Sequence, residues 1–459
     1  MKNRAIALLL MLVLTLGIPC AKAEDTLQAT FDAATEAFSN GDYESASKLL
    51  TDTMVLAPQE LIVRVYRAMS YEHLGDHASA IADYSVAYAL TLNASYLAYR
   101  IPLLQAMDLY GQAAADAQRV IEAGAAGENH YAIAIHALGM MGYQAEAFEI
   151  LEKGFAAYPD SFSLISARGT LRYQLGDFEA ALNDYQALLN AGIEQSAIYY
   201  NIAEAAYLLG QDEAAKAAAE KSVAMGGLNS TKETAKENYD GLLKNVARPS
   251  AMEEAALLSA ALKEGQRLID TGEPVNAIDY LLGISNTLPN HAALYALCAE
   301  GCDALGDRQY KNTFNALALS IENDSLDYFE KIATGYEALG GYDDYAVMRG
   351  ILVYFNSENA AMHNNFAFAL RLADRPEQAL DEYNRAIELD DATGYYYGGR
   401  ADLLLQMQRY EEAEKDYARC LELDPDDSMA QASLEICRAL LGKESSVDPA
   451  AFSDEMKNP

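Results

Sequence analysis

The feature that most constrains this chain is a helical pattern that repeats every 34 residues. The pattern is clearest from Ala360 to Asp427, where two consecutive units place alanine, tyrosine and leucine at matching positions. Each unit contains two runs of about a dozen residues whose apolar side chains recur at helical spacing. One such hairpin cannot bury its apolar side alone, whereas stacked hairpins can, so the period predicts an array of hairpins.

An alanine near the start of the second helix lets the register be followed along the chain. This alanine ladder consists of Ala46, Ala80, Ala114, Ala147, Ala181, Ala215, Ala277, Ala379 and Ala413, with Lys311 and Tyr345 in the same column. The steps are 34 residues, apart from one of 33 after Ala114 and a reset after Ala215. A glycine five residues earlier marks the turn between the two helices in most units. The register predicts eleven hairpins.

The unit resembles the tetratricopeptide repeat, a helix–turn–helix unit with a turn glycine, an early alanine in its second helix and a closing proline. The resemblance covers nearly all of the chain after its first residues. It implies an all-α fold, a right-handed superhelical solenoid of about eleven repeats in two arrays. It also implies that the first helices line a concave groove, which takes an extended peptide or a partner's helix.

The breaks in the register predict the domain organisation. We expect a signal peptide at 1–23, a first array of six repeats at 24–227, a closing helix and joint at 228–256, a second array of five repeats at 257–427, a C-terminal capping helix at 428–442 and a disordered tail at 443–459. Within the joint, Ser230 to Glu233 matches a capping box. That box predicts a helix to about Val246, and Arg248-Pro249 then predicts a boundary.

The N-terminal segment has the pattern of an export signal. Lys2 and Arg4 precede an apolar run, and Ala21-Lys22-Ala23 fits a cleavage site before Glu24. A lipoprotein signal at Cys20 and an uncleaved anchor are the alternatives. The pattern predicts a periplasmic, cell-envelope or extracellular protein with no membrane span in the mature chain. The formal net charge of −35 argues against a nucleic-acid partner, because it repels phosphates.

The groove positions of the family can be carried over to this chain repeat by repeat. The candidate peptide-binding residues are Tyr66, Tyr96, Tyr99, Arg100, His136, Tyr173, Tyr200, Asn201 and Tyr207 in the first array, and Asn364, Asn365 and Arg371 in the second. The first set is rich in tyrosine, which gives a large contact area at a low entropy cost. The second set lies among mostly acidic positions. The alternative interpretation of each tyrosine is that it fills the core between helices.

No motif in the chain carries catalytic chemistry, a cofactor or a metal. The six histidines are scattered, and no phosphate-binding glycine loop or nucleophile elbow is present. Cys298 and Cys302 share a helix face and are expected to be buried thiols. Cys420 and Cys437 lie on consecutive helices, and a disulfide between them stays open.

These features predict a non-enzymatic exported scaffold that binds a protein or an extended peptide in its groove. The alternative is a structural or assembly subunit of a cell-envelope complex, which would hold its partners through outer faces or through the joint. The identity of the partner and the oligomeric state do not follow from the sequence.

Overall fold

A computed structural model describes residues 20–323 and 325–443, and all regular structure in this part of the chain is α-helical. The first six hairpins are α1 Cys20–Ser39 with α2 Tyr43–Leu56, α3 Leu61–Leu74 with α4 His77–Thr91, α5 Ser95–Ala106 with α6 Tyr110–Glu122, α7 Glu128–Met140 with α8 Gln144–Ala157, α9 Phe162–Gln174 with α10 Phe178–Asn190, and α11 Ser196–Leu208 with α12 Asp212–Ala224. The short helix α13 is Lys232–Asp240.

Five further hairpins follow α13 in the chain. They are α14 Ala251–Asp270 with α15 Pro274–Thr287, α16 Ala292–Leu305 with α17 Arg308–Ile321, α18 Leu326–Leu339 with α19 Tyr342–Phe355, α20 Ala360–Leu372 with α21 Pro376–Leu389, and α22 Gly394–Gln406 with α23 Tyr410–Leu423. The last described helix is α24 Ser428–Leu440. The predicted all-α fold of repeated hairpins is therefore confirmed. The predicted signal segment up to residue 19 and the predicted tail from residue 444 lie outside the described residues.

The turn inside each hairpin needs one residue in the left-handed region of the backbone map. Glycine occupies that position in eight hairpins, and Asp108, Asp374 and Gln408 occupy it in the other three, with φ angles of 58°, 57° and 61°. Glycine adopts this conformation without strain, whereas a residue with a Cβ adopts it only at a cost in conformational energy. The turn ends the first helix and sets where the second begins.

The turn at Asp108 corrects one position of the alanine ladder. The residue five places after each turn residue is the ladder residue, and after Asp108 that residue is Ala113 rather than Ala114. Ala113 is 0% exposed, like every other alanine of the ladder. The one shortened step therefore falls before this hairpin and not after it. Alanine has no side-chain atom beyond Cβ, so the two helices of the hairpin can approach closely at this column.

The chain forms two compact units. The first contains the part up to Ser70 together with the part from Ser325, and the second contains residues 71–323. Each unit combines hairpins from both predicted arrays, whose boundaries stay a prediction. In the second unit, second helices pack against second helices: Thr313 of α17 donates to the carbonyl of Ala78 in α4 (3.0 Å), and the amide of Gly111 in α6 donates to Asn286 of α15 (2.9 Å).

The first unit shows the same kind of packing between α2 and α19. A Cβ added to Gly350 of α19 would lie 2.5 Å from the ring of Pro58, so only glycine fits there. Arg67 of α3 pairs with Asp344 of α19. Tyr345 stands in the alanine column of α19 and is 3% exposed, and the guanidinium of Arg349 lies 5.1 Å from the centre of its ring. The repeat pattern did not predict these contacts.

Candidate functional site

Three of the predicted groove residues meet in one cavity of about 230 Å³ within the second unit. Tyr173 lies near the end of α9, and Tyr200 and Asn201 lie in the middle of α11, so the cavity opens between consecutive first helices. The remaining lining residues are Met140, Thr170, Gln174, Tyr185, Glu204, Asn238 and Leu242. The arrangement combines aromatic rings, amides and one carboxylate, which are groups that recognise a peptide.

Glu204 of α11 is the polar centre of this site. The residue is only 4% exposed, yet its carboxylate accepts three hydrogen bonds. The hydroxyl of Tyr173 donates across 3.2 Å, the amide of Asn238 donates across 3.2 Å, and the hydroxyl of Ser230 donates to the other oxygen. Burial raises the pKa of Tyr173, and the nearby Glu204 raises it further, so this phenol stays protonated and acts as a donor. A buried carboxylate of this kind requires such donors.

Two of these donors belong to a segment that crosses the site, residues 228–248, which we name the strap. Asn238 also donates to the hydroxyl of Tyr200 (3.0 Å). The ring of Tyr239 packs edge-on against Tyr173 at 5.8 Å and against Phe178 at 5.0 Å. The strap therefore covers part of the tyrosine surface that the sequence assigned to an external peptide.

Beyond α13 the strap runs along the turns of earlier hairpins. The amide of Val246 donates to the carbonyl of Gly142 (2.8 Å). The side chain of Gln144 donates to the carbonyl of Leu243 (2.9 Å) and accepts from the backbone amide of Asn245 (2.7 Å). Arg248 forms a double hydrogen bond with Glu146 (2.8 and 2.9 Å) and stacks over Tyr143 at 4.1 Å. The strap thus passes three hairpins in reverse order, from α11–α12 through α9–α10 to α7–α8.

The structure corrects the predicted helix of the joint at both ends. The N-cap of α13 is Thr231, which forms a reciprocal capping box with Thr234, and Ser230 is left to bind Glu204. The helix ends at Asp240 rather than near Val246. Asn245 has a φ of 51°, which a continuing helix does not allow, and its amide bonds Gln144 instead.

Arg100 does not fit its predicted groove position. Its side chain is fully buried and forms a double hydrogen bond with Asp116 (2.6 and 2.9 Å), and it also donates to Ser85 (2.6 Å). Arg168–Asp184 and Arg400–Asp416 form the same pair, in each case between the two helices of one hairpin and 16 residues apart. Arg100 is therefore part of a recurring brace inside the hairpin. The 16-residue spacing of arginine and aspartate was the sequence signal that could have shown it.

The other predicted residues of the first array lie apart from the cavity at Glu204. Tyr99 is 53% exposed with its ring 5.5 Å from that of Tyr84, and Tyr96 is half-buried. His136 is exposed, and the centre of its ring lies 6.3 Å from that of Tyr110. Tyr207 packs on the alanine core of its own hairpin. In the first unit, Tyr66 lies edge-on to two phenylalanines of α1 and fills space there.

The three predicted residues of the second array lie in the first unit. Asn364 is 2% exposed, and its amide donates weakly to Asn365 (3.5 Å). Arg371 is half-buried, stacks over Phe368 at 5.2 Å and donates to Asp402 across 3.4 Å. Asp402 keeps 45% of its side chain exposed and accepts a hydrogen bond from Tyr417 (2.7 Å). These residues form a polar first-helix surface, with Asn364 beneath it.

Cys298, Cys302, Cys420 and Cys437 are buried free thiols, so the disulfide left open between the last two is not formed. Burial raises the pKa of the Cys420 and Cys437 thiols to about 11. No group of histidine, cysteine, aspartate and glutamate in the described part of the chain is arranged to hold a metal ion. None of the described helices has the length and apolar character that crossing a bilayer demands.

Comparison with known proteins agrees with the geometry of the hairpins. Family profiles described as tetratricopeptide repeat match residues 31–94, 166–229 and 394–427. These three ranges of the chain are similar to tetratricopeptide repeats. The second matched range contains Tyr173, Tyr200, Asn201 and Glu204, and the third contains Asp402.

The known proteins that share short stretches of similar sequence include the following two. A DnaJ homolog subfamily C member 7 homolog from Dictyostelium discoideum is 26% identical over 116 residues, which are 25% of this chain and 21% of that protein. A UDP-N-acetylglucosamine–peptide N-acetylglucosaminyltransferase from Giardia intestinalis is 33% identical over 78 residues, 17% of this chain and 5% of that protein. The chain therefore spans a small part of either relative.

Similar solved structures include MamA from Desulfovibrio magneticus RS-1, with 15% identity and a TM-score of 0.32 over 38% of this chain and 97% of that one. YrrB, described as a TPR protein with an unusual peptide-binding site, has 14% identity and a TM-score of 0.32 over 38% of this chain and 89% of that one.

Proposed function

We propose that this protein is a non-enzymatic scaffold that binds a protein or an extended peptide on its first-helix face, at the site around Glu204. The observation that carries the proposal is the cavity in which Tyr173, Tyr200 and Asn201 meet a buried carboxylate. Tyrosine rings give contact area at a low entropy cost, and the amide and the carboxylate form hydrogen bonds that orient a bound peptide. Interaction through first helices is also what tetratricopeptide repeats are expected to offer.

The proposal can be tested by recovering partners on the tagged full-length chain and on a Tyr99→Ala/Tyr200→Ala variant. The matched control is Tyr354→Ala, which removes an exposed tyrosine from the second helix α19. A partner that uses the first-helix face should be recovered at least tenfold less well by the double variant, the effect of losing about 1.4 kcal/mol of binding. Equal recovery by all three chains would exclude this face.

We further propose export with cleavage before Glu24, on the strength of the charged start, apolar run and small-residue site of the N-terminal sequence. The intact mass of the protein from its native source decides the point. A mass that begins at Glu24 supports the proposal, whereas a mass that includes the first 23 residues contradicts it.

A further inference from the structure

The strap is attached in a way that differs from an ordinary core helix. Ser230 and Ala235 are its buried residues, at 2% and 0% exposure, whereas Leu228, Leu243 and Val246 are 71%, 56% and 40% exposed. The strap is held mainly by hydrogen bonds, ring contacts and two ion pairs, Lys232–Asp212 and Arg248–Glu146. A segment that buries few apolar side chains belongs to the low-stability end of a structure and opens easily.

The strap also replaces a contact that other hairpins make internally. Four residues after the ladder alanine, the second helix carries a tyrosine in α4, α10, α21 and α23. In α23 this residue, Tyr417, donates to Asp402. Asp402 and Glu204 occupy the same position of their hairpins, eleven residues before the ladder alanine. In α12 the tyrosine position is Ala219, and Ser230 and Asn238 of the strap donate to Glu204 instead.

We infer that the strap is an internal ligand of the Glu204 site, and that the partner is a peptide of the same chemistry that displaces it. This inference rests on the proposed function. The partner segment offers hydroxyl or amide donors to Glu204 and an aromatic ring to Tyr173 and Phe178. It also carries a basic residue for Glu146, where Arg248 now lies. A positively charged peptide also complements the acidic chain.

The test measures binding of a fluorescein-labelled synthetic peptide of residues 228–248 to the full-length chain by fluorescence anisotropy. In the wild type the attached strap competes at a high effective concentration, so the free peptide binds weakly. The variant Ser230→Ala/Asn238→Ala/Tyr239→Ala weakens the attached strap and should bind the peptide at least tenfold more tightly than the wild type. Equal binding by both chains, or binding by neither, would overturn the inference.

Two controls tie the result to the site. Glu237→Ala changes an exposed residue of α13 next to Asn238 and should bind the peptide as the wild type does. Adding Glu204→Ala to the triple variant should remove the gain, and retained tight binding would place the peptide elsewhere and overturn the inference. If the triple variant does not show the wild-type helical content, Asn238→Ala alone serves, with an expected gain of at least threefold and the same contradicting result.

The peptide experiment needs no natural partner, so the two proposals fail in different ways. If the first-helix face binds no natural partner, the proposed function fails even though the peptide binds the weakened variant. If natural partners depend on Tyr99 and Tyr200 while both chains bind the peptide equally, the inference fails and the proposed function stands.

Discussion

Glu204 and Asp402 occupy the same position in two hairpins, yet the protein treats their carboxylates differently. In the second unit Glu204 is 4% exposed and receives its donors from Tyr173 and the strap. In the first unit Asp402 keeps 45% of its side chain exposed and receives its donors from Arg371 and Tyr417. The repeat fixes where a carboxylate stands, and the neighbouring residues decide whether it is closed off or open to solvent.

The two helices that follow these hairpins differ in the same way. Ala430, Leu434 and Cys437 of α24 complete an apolar cluster with Tyr417 and Cys420 of α23. In contrast, α13 meets the first helices through Asn238 and Tyr239 and buries one apolar residue, Ala235. One helix closes an apolar core, whereas the other lies on the proposed binding surface. The following predictions test that contrast.

The largest difference is expected at the recurring arginine–aspartate brace. Arg100 and Asp116 are both fully buried, whereas Arg400 and Asp416 are 21% and 11% exposed. Arg100→Ala should lower the free energy of unfolding by about 3–5 kcal/mol, because it removes the double hydrogen bond of a buried carboxylate, which then keeps only Gln112 and, at 3.8 Å, Arg119. Arg400→Ala should cost about 1–3 kcal/mol, since water reaches the remaining carboxylate. Urea unfolding followed by circular dichroism measures both, and equal losses would contradict the contrast.

A smaller difference is expected between the two carboxylates. Glu204→Ala should cost about 1–3 kcal/mol, because it leaves three donors around a buried position without their acceptor. Asp402→Ala should cost less than about 1 kcal/mol, because 45% of this side chain is exposed and water screens its pair with Arg371. The same urea titration decides the order, and a larger loss for Asp402→Ala would reverse our account of which site is closed.

A still smaller effect on stability is expected from two histidines whose pKa values shift in opposite directions. Burial by itself lowers the pKa of His363, but its ring bonds Glu382 (2.6 Å) and the carbonyl of Ser357 (2.9 Å), and these contacts raise the pKa above 6.5 overall. Protonated His363 therefore stabilises the fold fully below pH 6.5, and this contribution is lost as the pH rises through its folded pKa. His130 of the second unit has its pKa lowered, mainly by burial, so its contribution is lost as the pH falls.

The measurement is the thermal unfolding midpoint of the wild type, His363→Gln and His130→Gln between about pH 5 and pH 9. The difference between the wild type and His363→Gln should shrink as the pH rises. The difference between the wild type and His130→Gln should shrink as the pH falls. Differences that stay constant across this range would show that neither histidine is linked to folding as described.

The hairpins followed from the sequence because their determinants are local. The turn residue and the alanine five places later recur with the period, and Asp108 shows that even a turn without glycine keeps the conformation. The packing of α4 against α17 did not follow, because it joins residues far apart in sequence. In the structure nine consecutive residues of α17, from Asn312 to Ser320, are buried, although polar residues among them give the sequence the pattern of a helix with one apolar side.

The candidate site was predictable in part for the same reason. Repeat register placed Tyr173, Tyr200 and Asn201 on one face, and they do share a cavity. The same reasoning placed Arg100 on that face, because a register gives a position but not the direction of a long side chain. For the strap the sequence predicts only a closing helix and a joint. The hydrogen bond from Asn238 to Glu204 joins residues 34 positions apart, and the repeat pattern does not show that they meet.

The central claim is that Glu204 holds the strap on the first-helix face, and amide hydrogen exchange read by mass spectrometry tests it most directly. The measurement follows deuterium uptake over residues 232–240 in the wild type, Glu204→Ala and Asp402→Ala. We predict that Glu204→Ala raises the uptake of α13 at least tenfold in rate while α10 and α11 keep theirs, and that Asp402→Ala leaves α13 unchanged. Unchanged uptake in α13 after Glu204→Ala would contradict the account.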